Sequence, residues 1–280
     1  MKNILPWLNR NNERIKIINQ NTILPKTIKS TSNKRIVELY LDKIPGITEK
    51  FIYLNNYHYF KNDIHPRFFF SNDYFPKYNF RQPLSEKEID FVKQYDVPFY
   101  NTFSIIKKYF GKHYIKLRYL KDAPYTLYRD LFEPVRQLYK EFIDKWIMSI
   151  NKYENFDLLP LYLISTYIVY GTEQPYYPEY IIGFGKIMYS KPPVLNKKRT
   201  IHYYGFDIVS SEIEKNTANY DNIYSPNIKK NYKIIKNIKN SNYLCFGIIF
   251  EDKNNLTLNS LIFLFKMLNE LYNKKSSFEI

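Results

Sequence analysis

Cysteine occurs once in these 280 residues, at Cys245, which excludes an internal disulfide and any paired-cysteine metal or redox motif. A lone thiol suits a reducing compartment. Long apolar runs are also missing. The longest, Leu158 to Tyr170, contains Pro160, Ser165 and Thr166 and falls short of the roughly 20 apolar residues that cross a bilayer. Glycine is scarce, and the one Gly-x-Gly, Gly183-Phe184-Gly185, stands between Ile181-Ile182 and Lys186-Ile187. That context reads as a strand with close packing or a bulge, because a phosphate cradle needs a helix N-terminus. Histidines 58, 65, 113 and 202 include no i,i+4 pair, so no metal site is expected. Neither a nucleophile elbow nor a Walker, kinase or deaminase signature is present. Together these absences predict a non-catalytic chain with no cofactor and no small-molecule substrate.

What the chain has in abundance is positive charge and rings. The net charge is +15, the isoelectric point is near 9.4, and tyrosine and phenylalanine number 29 and 21. Such a charge points to nucleic acid, an anionic surface or an acidic protein. Only nine of the 42 basic residues are arginine, and alanine appears only at Ala123 and Ala218. Richness in Lys, Asn, Ile, Tyr and Phe with little Ala, Gly and Arg is the mark of an AT-rich coding sequence, so part of the charge follows from codon usage.

Along the chain, residues 1–35 carry eight basic residues against the single acid Glu13 and read as an extended basic arm. Residues 36–280 read as one α+β globular region with a possible internal boundary near 122–126: a mixed sheet packed by about four helices, with a long loop rich in aromatics and proline at 55–83. Ile36 to Leu41 and Phe51 to Leu54 read as strands separated by a turn at Pro45-Gly46. Ser85-x-x-Glu88, with Leu84 and Ile89 as a hydrophobic staple, predicts a helix to about Tyr95. A helix near 101–110 should end at Gly111, and His113 to Leu120 alternates as a strand should. The longest helix should start at Asp130 or Pro134 and bury Val135, Leu138, Tyr139, Phe142, Trp146, Ile147 and Ile150. A hairpin with its loop at Asn196–Arg199, a strand at Tyr243–Phe250 and a helix at Thr257–Tyr272 complete the reading. The last helix should bury Leu258, Leu261, Ile262, Phe265, Leu268 and Tyr272.

Three acid-free clusters interleave cations with rings. The first holds Lys107, Lys108, Lys112, Lys116, Arg118 and Lys121, and the second ends in Lys197, Lys198 and Arg199. Lys229, Lys230, Lys233 and Lys236 form the third, beside Tyr232. Lysine and arginine neutralise phosphates while exposed rings stack on unpaired bases, which suits RNA; a solvated lysine face over core tyrosines is the other reading. Segregation favours RNA, since residues 128–158 hold five basic and six acidic groups and the excess therefore lies elsewhere.

The lysine-, asparagine- and tyrosine-rich style, the two alanines, the basic arm and a first twenty residues unlike an import signal resemble proteins encoded in ciliate mitochondrial genomes. The resemblance implies a matrix protein of the mitochondrion, and most directly a structural ribosomal component contacting rRNA and neighbouring proteins. A matrix-side accessory subunit of a respiratory complex, or a structural protein of an AT-rich virus, is the alternative it leaves.

Overall fold

A computed structural model describes residues 12–28, 30–55, 58–61, 63–70, 76–78, 80–110, 118–120, 123–149, 157–170, 187–190, 204–208, 217–221, 228–241, 245–249 and 258–272. In chain order these form α1 (Lys34–Glu38), β1 (Lys50–Tyr53), β2 (His58–Phe60), β3 (Lys77–Tyr78), β4 (Phe80–Pro83), α2 (Glu86–Tyr95) and α3 (Val97–Phe110). There follow β5 (Arg118–Leu120), β6 (Tyr125–Tyr128), α4 (Phe132–Leu138), α5 (Lys140–Ser149) and α6 (Pro160–Tyr170). The remainder comprises β7 (Ile187–Ser190), β8 (Tyr204–Ile208), β9 (Thr217–Asp221), α7 (Ile228–Asn240), β10 (Cys245–Ile249) and α8 (Leu258–Leu271). The chain divides into two compact units, one of residues 20–55 and 64–215, the other of residues 1–19, 56–63 and 216–280.

In the first unit, short antiparallel pairs frame a helical core. β1 pairs with β6, with Phe51 opposite Leu127 and Tyr53 opposite Tyr125, and β4 pairs with β5. β8 lies between β3, to which it is parallel, and β7, to which it is antiparallel. Leu39, Ile106, Leu127, Leu131, Phe132, Val135, Tyr139, Leu163 and Ile164 are fully buried together. The apolar run at Leu158–Tyr170 is the centre of that core, because α6 is buried at every described side chain from Pro160 to Tyr167. A helix apolar on all sides belongs inside a core. Of its polar members, Thr166 is matched locally, its Oγ1 donating to the Tyr162 carbonyl at 2.6 Å, whereas the buried Ser165 hydroxyl has no hydrogen-bond partner among the described residues. Among the described residues no helix is long and apolar enough to cross a membrane.

Local signals placed α2 well. Ser85 Oγ accepts from the Glu88 amide at 3.4 Å and Glu88 Oε2 accepts from the Ser85 amide at 2.8 Å, the two halves of a capping box. α3 begins earlier than expected, at Val97, where Asp96 Oδ1 accepts from the Phe99 amide at 3.3 Å. The single long helix expected from 130 or 134 is two: the backbone at Tyr139 (φ −100°, ψ 18°) breaks it while the ring stays fully buried. Ile36–Leu41, expected as a strand, begins as α1. Asn33 caps it, Oδ1 accepting from the Arg35 amide at 3.0 Å, and Ile36 and Leu39 bury one face at a three-residue spacing. Val37, Leu39 and Leu41 do alternate with Glu38 and Tyr40 as in a strand, so here the local β preference loses to the cap and to packing. Within the expected 55–83 loop lie β2, β3, β4 and a short 3-10 turn at Pro66–Phe68. Gly183–Gly185, most of His113–Leu120 and the loop expected at 196–199 fall outside the described residues.

In the second unit, β9 and β10 run parallel on either side of α7 in sequence, and β2 joins β10 antiparallel, giving the order β2-β10-β9. Phe246 and Ile248, two apart and therefore on one face, meet Ile235 and Ile238 of α7 and Met267 of α8. Tyr59 stacks on Phe246 at 5.4 Å, the Tyr272 hydroxyl donates to the Phe60 carbonyl at 2.6 Å, and Lys239 meets Glu270 at 3.2 Å. Cys245 is a buried thiol outside any disulfide. The face of α8 expected to be buried is largely the outer one. Ser260 and Met267 are buried, with Phe263, Leu264, Leu268 and Leu271 packed beside them, whereas Leu258 is 73% and Phe265 70% exposed. The sequence LNSLIFLFKMLNEL is apolar on nearly all sides, so periodicity offered two stripes, and contact with Phe246 and Ile248 selects one.

Candidate functional site

The N-terminal third of the first unit concentrates charged and polar side chains around α1. Lys34 and Glu38 are four residues apart and share a helix face. Tyr53 is the last residue of β1, and the buried Asn55 follows it two residues on. The two segments meet: the Tyr53 hydroxyl donates to Glu38 Oε1 at 2.9 Å, and Lys34 Nζ donates to Asn55 Oδ1 at 3.5 Å. Glu38 and Asn55 are buried while Lys34 reaches solvent. The result is a carboxylate held inward, an ammonium at the rim and an amide and a phenol between them. Such a set can hold a phosphate by charge and take a proton from a hydroxyl.

Two further networks fix this set in place. Asp157 accepts from Arg35 NH1 at 2.7 Å, from Asn33 Nδ2 at 3.2 Å and from Trp146 Nε1 at 3.0 Å, tying the start of α1 to α5. Beyond α1, Arg136 donates to both carboxylate oxygens of Asp42 at 2.6 and 2.7 Å, to Glu133 Oε2 at 2.6 Å and to the Leu39 carbonyl at 2.7 Å. Its guanidinium also lies 5.0 Å from the centre of the Tyr40 ring. Hydrogen bonds from Arg136 and Gln137 hold the Glu133 carboxyl down at about 2. Desolvation opposes the charge on Arg136, and the bonds to Asp42 and Glu133 outweigh it. This second network is closed on itself and acts as a brace.

The basic clusters singled out in the sequence fall elsewhere. Lys107 and Lys108 lie in the last turn of α3, their ammonium groups 6.0 Å from the Phe103 ring and 4.9 Å from the Phe142 ring. Arg118 opens β5 opposite Pro83. Lys229, Lys230, Lys233 and Lys236 all belong to α7, the last three exposed. Lys112, Lys116, Lys121, Lys197, Lys198 and Arg199 are outside the described residues. Sequence reasoning passed over Lys34, Glu38, Tyr53 and Asn55, because Glu38 fell inside an apolar run read as a strand. The available signal was the pair of asparagines at 55–56, polar residues at the end of an otherwise apolar strand.

Comparison with known proteins bears on this same stretch. Residues 1–78 match the model of the family described as Stealth protein CR2, conserved region 2. An exopolysaccharide phosphotransferase of Lactiplantibacillus plantarum is 29% identical over 113 residues, 40% of this chain and 32% of that protein. A capsular polysaccharide phosphotransferase of Streptococcus pneumoniae is 30% identical over 73 residues, 26% of this chain and 22% of that protein. Another capsular polysaccharide phosphotransferase, from Haemophilus influenzae, is 26% identical over 149 residues, 51% of this chain and 40% of that protein. The matches thus span between 22% and 40% of these relatives' length.

These findings overturn the reading drawn from composition. Bacterial polysaccharide phosphotransferases are not mitochondrial proteins, ribosomal components, respiratory subunits or viral structural proteins, and their names denote catalysis. The expectations of a non-catalytic chain, an rRNA partner, a matrix location and no small-molecule substrate fall together. Codon-driven composition misled because it reports the genome and not the site. In residues 1–78, which include Lys34, Glu38, Tyr53 and Asn55, this chain is similar to conserved region 2 of Stealth proteins.

Proposed function

We propose that this chain is a phosphotransferase, or part of one, acting in polysaccharide assembly and joining a sugar to a glycan acceptor through phosphate. The observation that carries this reading is the coincidence of the family-matched residues 1–78 with the polar set on α1 and β1. In the reaction the acceptor hydroxyl oxygen bonds to phosphorus as the bond from phosphorus to the leaving oxygen breaks, and the hydroxyl proton passes to a base. Such transfers depend on positioning and on charge placed where the transition state develops it. Lys34 is the cation for the phosphate oxygens and Glu38 the base, oriented by Tyr53, with Asn55 holding the ammonium.

A direct test incubates the full chain with a nucleoside diphosphate-sugar and an oligosaccharide acceptor. Phosphorus NMR follows the appearance of a phosphodiester, and calorimetry follows donor binding. The expected result is donor binding weakened by Lys34→Ala and transfer lost in Glu38→Gln, with circular dichroism unchanged. Absence of donor binding, or transfer that both substitutions leave intact, overturns the reading.

A further inference from the structure

The second unit carries an exposed surface that contains none of Lys34, Glu38, Tyr53 and Asn55. α7 and α8 lie on one face of the β2-β10-β9 sheet, since Ile235, Ile238 and Met267 all pack with Phe246 and Ile248. Their outer faces therefore point the same way, away from the sheet. On α8 that outer face is Leu258, Leu261, Ile262 and Phe265, at spacings of three and four residues, all exposed and opposite the buried Ser260 and Met267. On α7 it is Lys233 and Lys236, with Lys230 and the 62% exposed Tyr232 on its flanks. α7 contains no acid, and Glu270, on the side of α8 towards α7, is matched by Lys239 at 3.2 Å. Lys266, also exposed, stands on that same side of α8, between the lysine row and the apolar ridge.

We infer that α7 and α8 together seat the protein on an anionic lipid surface, the ridge entering the headgroup boundary and the lysines meeting acidic headgroups. Three features favour a bilayer over a protein partner. The ridge is the convex back of a helix, which a deformable layer covers more readily than a rigid groove does. Lysine is a compact, hydrated point charge suited to a diffuse anionic layer, whereas the planar arginine fork favoured for paired carboxylates is absent from both helices. Apolar side chains flanked by cations and a tyrosine form the pattern of helices that lie in the interface plane without crossing it. No helix among the described residues is long and apolar enough to cross a membrane.

The test uses the full chain floated with vesicles of phosphatidylcholine alone or of phosphatidylcholine with phosphatidylserine. Flotation is expected only with the acidic lipid, falling as salt rises. Lys233→Gln with Lys236→Gln should weaken it about 25-fold, at about fivefold for each lysine near the surface. Phe265→Asp should abolish it with circular dichroism unchanged. Because Cys245 is buried, Phe265→Cys can be labelled selectively with an environment-sensitive fluorophore, whose emission should shift to the blue on adding acidic vesicles. Absence of flotation, equal flotation on neutral vesicles or indifference to both sets of substitutions overturns the inference. A dimer that Phe265→Asp dissociates, without vesicle binding by the wild type, overturns it in favour of an interface between copies.

Discussion

Arg136 and Asp42 meet through two parallel hydrogen bonds of 2.6 and 2.7 Å, with both side chains almost wholly buried. This pair joins α4 to the turn after α1 and holds the base of the candidate site. Among the described residues, removing Arg136 leaves the buried Asp42 carboxylate with only the half-exposed Lys43 ammonium 3.5 Å away, which costs about 3 kcal/mol. Arg136→Ala should therefore lower the urea midpoint sharply, and Asp42→Asn somewhat less, because the amide still accepts one bond. If Arg136→Ala unfolds at the wild-type midpoint, the pair does not brace the fold.

Glu133 gives this brace a dependence on pH. Its carboxyl is lowered from 4.5 to about 2 by hydrogen bonds from Arg136 and Gln137. A folded-state value below the unfolded one means that the unfolded chain takes up the proton first as the pH falls. The contribution is complete above about pH 5 and disappears as the pH approaches 2. A shift of this size is nominally about 3 kcal/mol, but the side chain is half exposed and solvent screening reduces this to about 1 kcal/mol. Urea titrations between pH 7 and 2.5 should show the loss, and Glu133→Gln should flatten it.

Ser85 governs a local helix end. Ser85→Ala removes the acceptor for the Glu88 amide and should cost about 1 kcal/mol. Amide exchange should accelerate in the first turn of α2 and remain slow near Val92, which is buried. Uniform acceleration across α2 would instead mean that the capping box does not act locally.

The same contrast between local and distant signals explains what the sequence revealed. The capping box at Ser85 and Glu88 spans three residues, and its helix was legible because both partners sit within one turn. α1 was not, since Asn33 caps it while also reaching Asp157, 124 residues away. The orientation of α8 was hidden for a different reason: an all-round apolar helix has no periodic preference, and only Phe246 and Ile248 select its inner face. Neither contact of the candidate site is local, Tyr53 to Glu38 spanning 15 residues and Lys34 to Asn55 spanning 21. Acid-free lysine clusters stood out far more clearly, and they described charge without describing chemistry.

Lys34 and Tyr53 should separate catalysis from stability. Lys34 is exposed, so Lys34→Ala should change stability by no more than about 0.5 kcal/mol. A charge aimed at a phosphate in the transition state contributes far more to rate, and transfer should fall by on the order of 100-fold. Tyr53→Phe removes the hydroxyl that donates to the buried Glu38 carboxylate, costing about 1–2 kcal/mol in stability as well as activity. Paired urea midpoints and kcat/KM values distinguish the roles: Lys34→Ala should move only kcat/KM, and Tyr53→Phe should move both. If Lys34→Ala loses stability and activity in parallel, the lysine supports the fold and the phosphate must be held by another cation.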